Sequence, residues 1–310
     1  MNSAFSSSRL KAEAIRLGFF ACGIAKAEPV DADTAMYYRQ WMAAGGHADM
    51  QYLADHVDKR LDPTLLLPGA RSIVVVAMSY APACRLPDGE YQIAAYALGL
   101  DYHGVIKQRL RQLATLLTDT TDDLKLCVDT VPILERYWAA KAGIGFIGRN
   151  RQLIIPGGGS MFFLGEIVTT ALSDHYDAPL SQHCGRCRRC IDHCPTGALA
   201  SDFFNSERCL SYQTIENRGP LDPMAADKLG DCIYGCDRCQ QVCPWNSNPL
   251  LSKEKAFQPS EALLAMRRSD WEQLTVDEYR RLFKGTAVKR AKYEGLMRNI
   301  RAAAEKPVDK

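Results

Sequence analysis

The 310-residue chain lacks any long hydrophobic run. The longest candidate, Ser72 to Ala81, falls far short of the roughly 18 consecutive apolar residues that cross a bilayer, so no membrane span is expected. The N-terminus lacks the basic, then apolar, then small-residue order of a secretory leader, which makes the cytoplasm the expected compartment. No internal repeat or low-complexity tract is present. With 47% apolar and 24% charged residues, the composition excludes a disordered chain, a collagen and a coiled-coil rod. One sign of charge is not in large excess either, the formal net charge being +2. That balance hides a division: residues 251–310 carry 14 Lys/Arg against 9 Asp/Glu, a net of +5, and the rest of the chain is −3.

What the chain has in excess is cysteine, twelve in all. Three are scattered (Cys22, Cys84, Cys127) and nine lie between Cys184 and Cys243. A reducing compartment disfavours disulfides, so clustered cysteines there point to metal.

Pattern places these residues. A helix over 7–17 stops at Gly18, and 19–25 reads as a strand. Residues 34–55 read as a helix interrupted at Gly45-Gly46. The β-branched run 71–81, bounded by Pro68-Gly69 and Pro82, is the strongest strand signal. Val105, Ile106, Leu110, Leu113, Leu116 and Leu117 recur at helical spacing over 101–117. A strand over 124–132 carries Asp129 near its end, and a helix follows over 134–141. The segments QLIIP and MFFLGEIVTT read as a strand pair around Gly157-Gly158-Gly159. Residues 1–175 are therefore expected to form an α/β or α+β domain with a mixed sheet. From Cys184 to about Trp245 Cys, Arg, Gly and Pro dominate, periodicity is weak, and inorganic cross-links must organise the chain. Helices are expected again over 258–268, 275–284 and 288–304. The overall expectation is an α+β protein of three regions: an N-terminal mixed α/β domain (1–175), a ferredoxin-like domain with two clusters (176–248) and a basic helical C-terminal region (249–310).

Cys184, Cys187, Cys190 and Cys194-Pro195 form C-x2-C-x2-C-x3-C-P, the bacterial ferredoxin run whose fourth cysteine ligates the other cluster. Three thiolates on one tight loop cap three irons of a cube, and the fourth points away. Zinc more often pairs two C-x2-C knuckles. A second run, Cys236, Cys239 and Cys243-Pro244, repeats the end of the pattern, with Ile233 where a further cysteine is due. By the crossover logic one 4Fe–4S cluster takes Cys184, Cys187, Cys190 and Cys243. The other takes Cys194, Cys236, Cys239 and either Cys209 or Cys232, a choice that spacing leaves open. Two such clusters make an electron wire, and a plain carrier would not need the preceding α/β domain.

At this point the chain resembles a known family, the epoxyqueuosine reductases of the tRNA queuosine pathway. The resemblance runs over KRLDP (59–63), PGARSIVVVAMSY (68–80), DYH (101–103), VDTVPILER (128–136), AAKAGIGFIGRN (139–150), FFLGEI (162–167), CGRCRRCIDHCPTGA (184–198), RCLSYQTIE (208–216), YGCDRCQQVCPWN (234–246) and KRAKYEGLMRN (289–299). It implies a cobalamin enzyme with two 4Fe–4S clusters that reduces an epoxide on the wobble base of tRNA to an alkene. It also implies Cys209 as the eighth cluster ligand, leaving Cys232 a spare thiol. Phe146 stands where the family often has Trp, and Arg149 where it often has Lys.

Removing an epoxide oxygen as water takes two electrons and two protons, and the departing oxygen needs a proton donor beside it. The resemblance makes Asp129 that acid. Burial against an apolar corrin is expected to raise its pKa so that it is protonated near neutrality. Arg60, Asp129, Arg149, Asn150, Ser160, Ser211, Gln213 and Asp237 are the expected contacts to a base-off cobalamin. No protein histidine, His103 included, is expected on the cobalt, since a histidine would oppose reduction of the metal. His183 and His193, inside the cysteine run, are expected to tune hydrogen bonding or simply to be exposed. On a helix from about 288, Lys289, Arg290, Lys292 and Arg298 are expected to face tRNA phosphates. The modified base must leave an anticodon loop to enter the site, with Tyr212 or Trp245 as stacking partners. An external low-potential electron donor and a monomeric state complete the expectation. The competing classes are a corrinoid reductive dehalogenase, a non-catalytic electron-transfer module without corrinoid, and an RNA-binding protein with redox-silent iron. Absorption and EPR spectra of the cobalamin-loaded protein separate them.

Overall fold

The structure, a computed structural model, describes residues 4–117, 123–200 and 202–305. Its strands are β1 (Ala21–Lys26), β2 (Ser72–Ser79), β3 (Gln92–Ile93), β4 (Leu124–Cys127), β5 (Phe146–Ile147), β6 (Leu153–Ile154), β7 (Phe162–Thr169) and β8 (Cys232–Tyr234). The main sheet has the order β1-β2-β7-β4. Every neighbouring pair in it is antiparallel, so the expected mixed sheet is corrected. The parallel pairing lies elsewhere, between β3 and β8.

All eight residues of β2 are buried, as a β-branched run covered on both faces must be. Alternation sends Val74, Val76 and Met78 to one face and Ile73, Val75 and Ala77 to the other. The first face packs against helices Ser7–Arg16 and Tyr102–Ala114 through Leu10, Ala14, Ile106, Leu110 and Leu113. Each such aliphatic side chain contributes roughly 1.5–3 kcal/mol on burial. Close approach is possible because position 165 of β7 is Gly: a Cβ there would meet Ile106 Cγ2 at 2.8 Å. The second face packs against helix Glu135–Lys141 through Tyr137, Trp138 and Ala139.

Several local expectations change in the fold. QLIIP does not pair with MFFLGEIVTT along its length. β6 pairs with β5, β7 joins the main sheet, and only an Ile155–Gly159 bridge closes the turn between them. The strand expected over 124–132 ends at Cys127, so Asp129 stands in the loop beyond it. The helix expected from about 288 is a 3-10 turn, Ala287–Ala291, followed by an α-helix, Lys292–Ala304. Lys292 at the junction has φ +60°, so Lys289 and Lys292 do not share one helical stripe with Arg298. Packing also interleaves the three regions. Leu86, Tyr91, Ile93, Ala97 and Leu98 join Ile233, Tyr234 and the C-terminal Trp271, Phe283, Leu296 and Ile300 in one core. Among the described residues no helix is long and apolar enough to cross a membrane.

Candidate functional site

A cleft of about 350 Å³ opens between the sheet end and the cysteine-rich segment. Tyr80, Tyr96, Tyr102, Phe162, Phe163 and Leu164 give it an apolar lining, to which Cys194, Cys209, Cys236 and Cys239 also contribute. A polar network pins the two sides together. Ser160 N donates to Asn246 Oδ1 at 2.7 Å and Ser160 Oγ donates to Gln240 Oε1 at 3.0 Å, while Asn246 Nδ2 donates to the Gln240 carbonyl at 2.8 Å. Gly159, φ +89°, lets Asn246 come this close, since a Cβ there would sit 2.3 Å from Asn246 Oδ1.

Asp129 lines the cleft from a left-handed backbone position, φ +56°, uncommon for a non-glycine residue and tolerated best by Asp and Asn. Its amide donates to Glu135 Oε1 at 2.5 Å, which holds the loop against the first turn of helix Glu135–Lys141. Its carboxylate Oδ2 lies 3.5 Å from His103 Nε2, and His103 Nδ1 lies 2.6 Å from Asp101 Oδ1. Asp101 is also the N-cap of helix Tyr102–Ala114, accepting from the His103 amide at 3.0 Å, so one local turn aims the imidazole. Tyr102 stacks on Phe163 at 4.1 Å and on His103 at 4.3 Å, completing the orientation.

The electrostatics correct one expectation. Burial pushes the Asp129 carboxyl up, but hydrogen bonds from His103 and Tyr102, with Arg136 nearby, outweigh it and hold the group below the usual carboxylate range. Its side chain remains 58% exposed to the open cleft, so water still solvates the charge. His103 moves the other way: its bond to Asp129, opposed by burial and reinforced by Asp101, raises its pKa. Glu135 is pushed up to about 7 by burial and then by Asp129. Behind it Glu166, on the buried face of β7, is 0% exposed, and neither carboxylate oxygen meets a hydrogen-bond partner. Burial, then Glu135 and Asp129, raise it well above the ordinary value. Sequence reading missed Glu135 and Glu166 as members of this group. The signal available was a single acid inside the apolar run FFLGEIVT.

Of the other expected contacts, Asn150, Ser160, Ser211 and Asp237 line the cleft. Asp237 Oδ2 accepts from the Ala95 amide at 2.7 Å, and burial raises its carboxyl. Three are placed elsewhere. Arg60 is buried, with Nη2 donating to the Tyr52 carbonyl at 2.9 Å. Arg149 serves the cysteine loop, its amide reaching Cys184 Sγ at 3.4 Å and its Nη2 the Gly185 carbonyl at 3.0 Å. Gln213 donates to the Glu207 carbonyl at 2.7 Å and accepts from Asn217 Nδ2 at 2.8 Å, which leaves it turned inward. Tyr212 is buried with its hydroxyl on Asp49, and Trp245 packs edge-on to Phe146 beside Cys184 and Cys243. Neither lines the cleft, so their expected stacking role is corrected. His183 and His193 are exposed, each with Nδ1 against a nearby carbonyl.

The thiols fall into two sets. Cys190 is raised by burial and then by Cys184 and Cys243, while Cys243 also feels Cys187. Cys209 is raised to about 11 by burial, with Cys236 and Cys194 as its thiol neighbours, and Cys239 feels Cys236 and Cys209 and, less strongly, Cys190 of the first set. Cys232 touches Cys236 from β8. Among the described residues no three or more Cys, His, Asp or Glu side chains close on a point fit for a single ion. Thiols grouped at ferredoxin spacing suit a cluster, in which iron and sulfide lie between the sulfurs. Asn150 Nδ2 is a buried donor without a partner in the cleft lining, which together with the aromatic residues suits a large ring edged with carbonyl groups.

Comparison with known proteins agrees with this arrangement. The family model for a 4Fe-4S double cluster binding domain matches residues 183–246, and that for epoxyqueuosine reductase QueG matches residues 60–130. The epoxyqueuosine reductase of Cellulophaga algicola is 41% identical over 297 residues, covering 95% of this chain and 96% of the relative. The chain belongs to the epoxyqueuosine reductase family. A second member, from Leadbetterella byssophila, is 38% identical over 95% of this chain and 97% of its own length. The crystal structure of an epoxyqueuosine reductase with an epoxyqueuosine-modified tRNA-Tyr stem loop superposes with a TM-score of 0.86 at 29% identity, covering 96% of this chain and 80% of that one. Membership makes this α+β protein an oxidoreductase with an iron–sulfur domain.

The residues expected to meet tRNA are differently committed. Lys289 and Lys292 are exposed. Arg290 pairs with Glu216 at 2.7 Å and lies 5.6 Å over the Tyr52 ring, and both Arg290 and Tyr52 feel the Asp129 charge. Arg298 instead ties down a loop, donating to the carbonyls of Gln213 at 2.7 Å and Asn217 at 2.9 Å.

Proposed function

We propose that this protein reduces the epoxide of epoxyqueuosine in tRNA to the alkene of queuosine, taking up two electrons and two protons and releasing the oxygen as water. The observation that carries the reading is one aromatic cleft whose lining includes both Asp129, paired with His103, and Cys194, Cys209, Cys236 and Cys239. That gives a proton donor and an electron source access to the same cavity. The family relationship supports the same substrate.

Cys184, Cys187, Cys190 and Cys243 are read as holding one 4Fe–4S cluster, and Cys194, Cys209, Cys236 and Cys239 the other. When bound, the clusters supply single electrons and a base-off cobalamin in the cleft supplies a two-electron centre. Asn150, Ser160, Ser211 and Asp237 are read as its polar contacts, with Arg60 behind them. His103 is held by Asp101 through Nδ1 and lies 3.5 Å from Asp129 Oδ2 through Nε2, and it is read as serving the proton path and not the cobalt.

The bond between Asp129 and His103 favours the charged form of the acid and the protonated form of the imidazole. Filling the cleft expels water from the pair, and a neutral pair costs less than an ion pair in a dry site. The proton therefore moves from Nε2 to Oδ2, and Asp129 delivers it to the departing oxygen. Glu135, near half-protonated at neutrality, is a further proton source behind the same loop. Lys289, Arg290 and Lys292 are read as contacts to the tRNA backbone, with Arg298 holding the loop beneath. A cytoplasmic monomer, reduced by an external low-potential donor, fits a cleft that must admit a folded tRNA.

The test is incubation of the reduced, cobalamin-loaded protein with tRNA from cells lacking this activity, read by nucleoside mass spectrometry. The expected product has lost one oxygen atom. An unchanged nucleoside, with clusters and cobalamin both present by spectroscopy, refutes the reading.

A further inference from the structure

The two thiol sets differ in what they face. The cleft lining includes Cys194, Cys209, Cys236 and Cys239 and none of Cys184, Cys187, Cys190 and Cys243. In the second group Cys190 and Cys243 are buried, and Cys184 and Cys187 are half-exposed on a loop whose Gly185, Arg186, Arg188 and Arg189 are exposed. Only one carboxylate on this loop, Asp192, answers three guanidinium groups, and Arg188 takes it at 3.5 Å. Among the described residues Arg186 and Arg189 have no ion-pair partner. Arg149 bonds the Gly185 carbonyl, and two residues before it Ile147 on β5 is 46% exposed. Unpaired arginines thus stand on the loop that carries the thiol set absent from the cleft lining, with an exposed isoleucine on the segment that braces it.

We propose that this face, built on Arg186, Arg189 and Ile147, docks an acidic one-electron carrier protein. The inference rests on the reading above that both thiol sets hold clusters. Reducing one epoxide to an alkene and water takes two electrons, so two dockings occur per turnover, each oxidising one carrier by one electron. Charge complementarity selects the occupant, because a basic rim steers an acidic partner and tolerates brief contact. A small patch suffices, since redox encounters sit at the low end of interface sizes. An RNA backbone would also meet arginine, but Arg290 and Tyr52 feel the charge of Asp129 in the cleft, which puts the RNA side at the mouth and not at the thiol set absent from the cleft lining.

The test uses a reduced acidic 2Fe–2S ferredoxin as probe and the cluster-loaded protein carrying Arg186→Glu with Arg189→Glu. Iron content and reduction by dithionite should match the parent. Ferredoxin affinity by calorimetry, and the stopped-flow rate of cluster bleaching by ferredoxin, should fall tenfold or more and lose most of their salt dependence. The milder Arg186→Gln, Arg189→Gln pair should show a smaller loss of the same sign. Unchanged ferredoxin affinity overturns the proposal, and so does a matching loss of tRNA affinity with ferredoxin binding intact. A parent protein that binds zinc in place of iron refutes the cluster reading before any variant is made, so the two failures are distinguishable.

Discussion

Replacing Asp129 by Asn removes the proposed acid while keeping its size, its tolerance of a left-handed backbone and its amide bond to Glu135. A positioned general acid contributes typically 10²- to 10⁴-fold, or roughly 3–5 kcal/mol of barrier. Turnover should fall by that factor, while tRNA affinity and the spectra of bound cofactors stay at parental values, so the loss appears in kcat and not in KM. A second readout follows from the electrostatics. The bond to Asp129 is the largest influence raising His103, so in Asp129→Asn the imidazole should titrate lower, with Asp101 retaining part of the shift. Histidine-selective NMR titration follows this among the six histidines. The parent should lose activity as pH rises through the raised His103 pKa, because deprotonated imidazole has no proton to pass to an ionised Asp129. Turnover within about threefold of the parent, or an unmoved His103 titration, refutes the proton path.

Other consequences are equally direct. Glu166 is raised in the folded state, so as pH climbs from the ordinary carboxylate value the unfolded chain releases this proton first and stability is lost. Glu166→Gln should flatten the fall in melting temperature between pH 5 and 8, and equal slopes in parent and variant would contradict a buried neutral acid. Cys209→Ser should lower bound iron from about eight to about four per chain, while Cys232→Ser should leave it near eight. The reverse pattern would make Cys232 the ligand. Lys289→Ala and Lys292→Ala should each reduce the salt slope of tRNA binding by roughly 0.7–0.9. Arg298→Ala should instead cost roughly 2 kcal/mol of stability, because its charged hydrogen bonds hold the 213–219 loop.

Local order along the chain determined a good deal by itself. The spacing Cys184–Cys187–Cys190–Cys194 constrains a loop of fixed reach, so its chemistry is legible without a fold. The run 72–79 is a strand because β-branched side chains suit a pleat covered on both faces. The helix over Tyr102–Ala114 is announced by its apolar spacing. Tertiary structure decided what depends on neighbours distant in sequence. Asp129 is ionised because His103, 26 residues earlier, is turned onto it by Asp101 and Tyr102, so an inference from burial alone has the wrong sign. Glu135 and Glu166 feel each other's charge only because helix Glu135–Lys141 packs on the face of β7 that carries Glu166. Arg298 looks like any surface arginine in sequence, yet the backbone carbonyls of a loop some 80 residues away claim it. Spacing is a covalent property that survives unfolding. The charge on a carboxylate and the partner of a guanidinium are properties of the packed interior, and they exist only once the chain has closed around them.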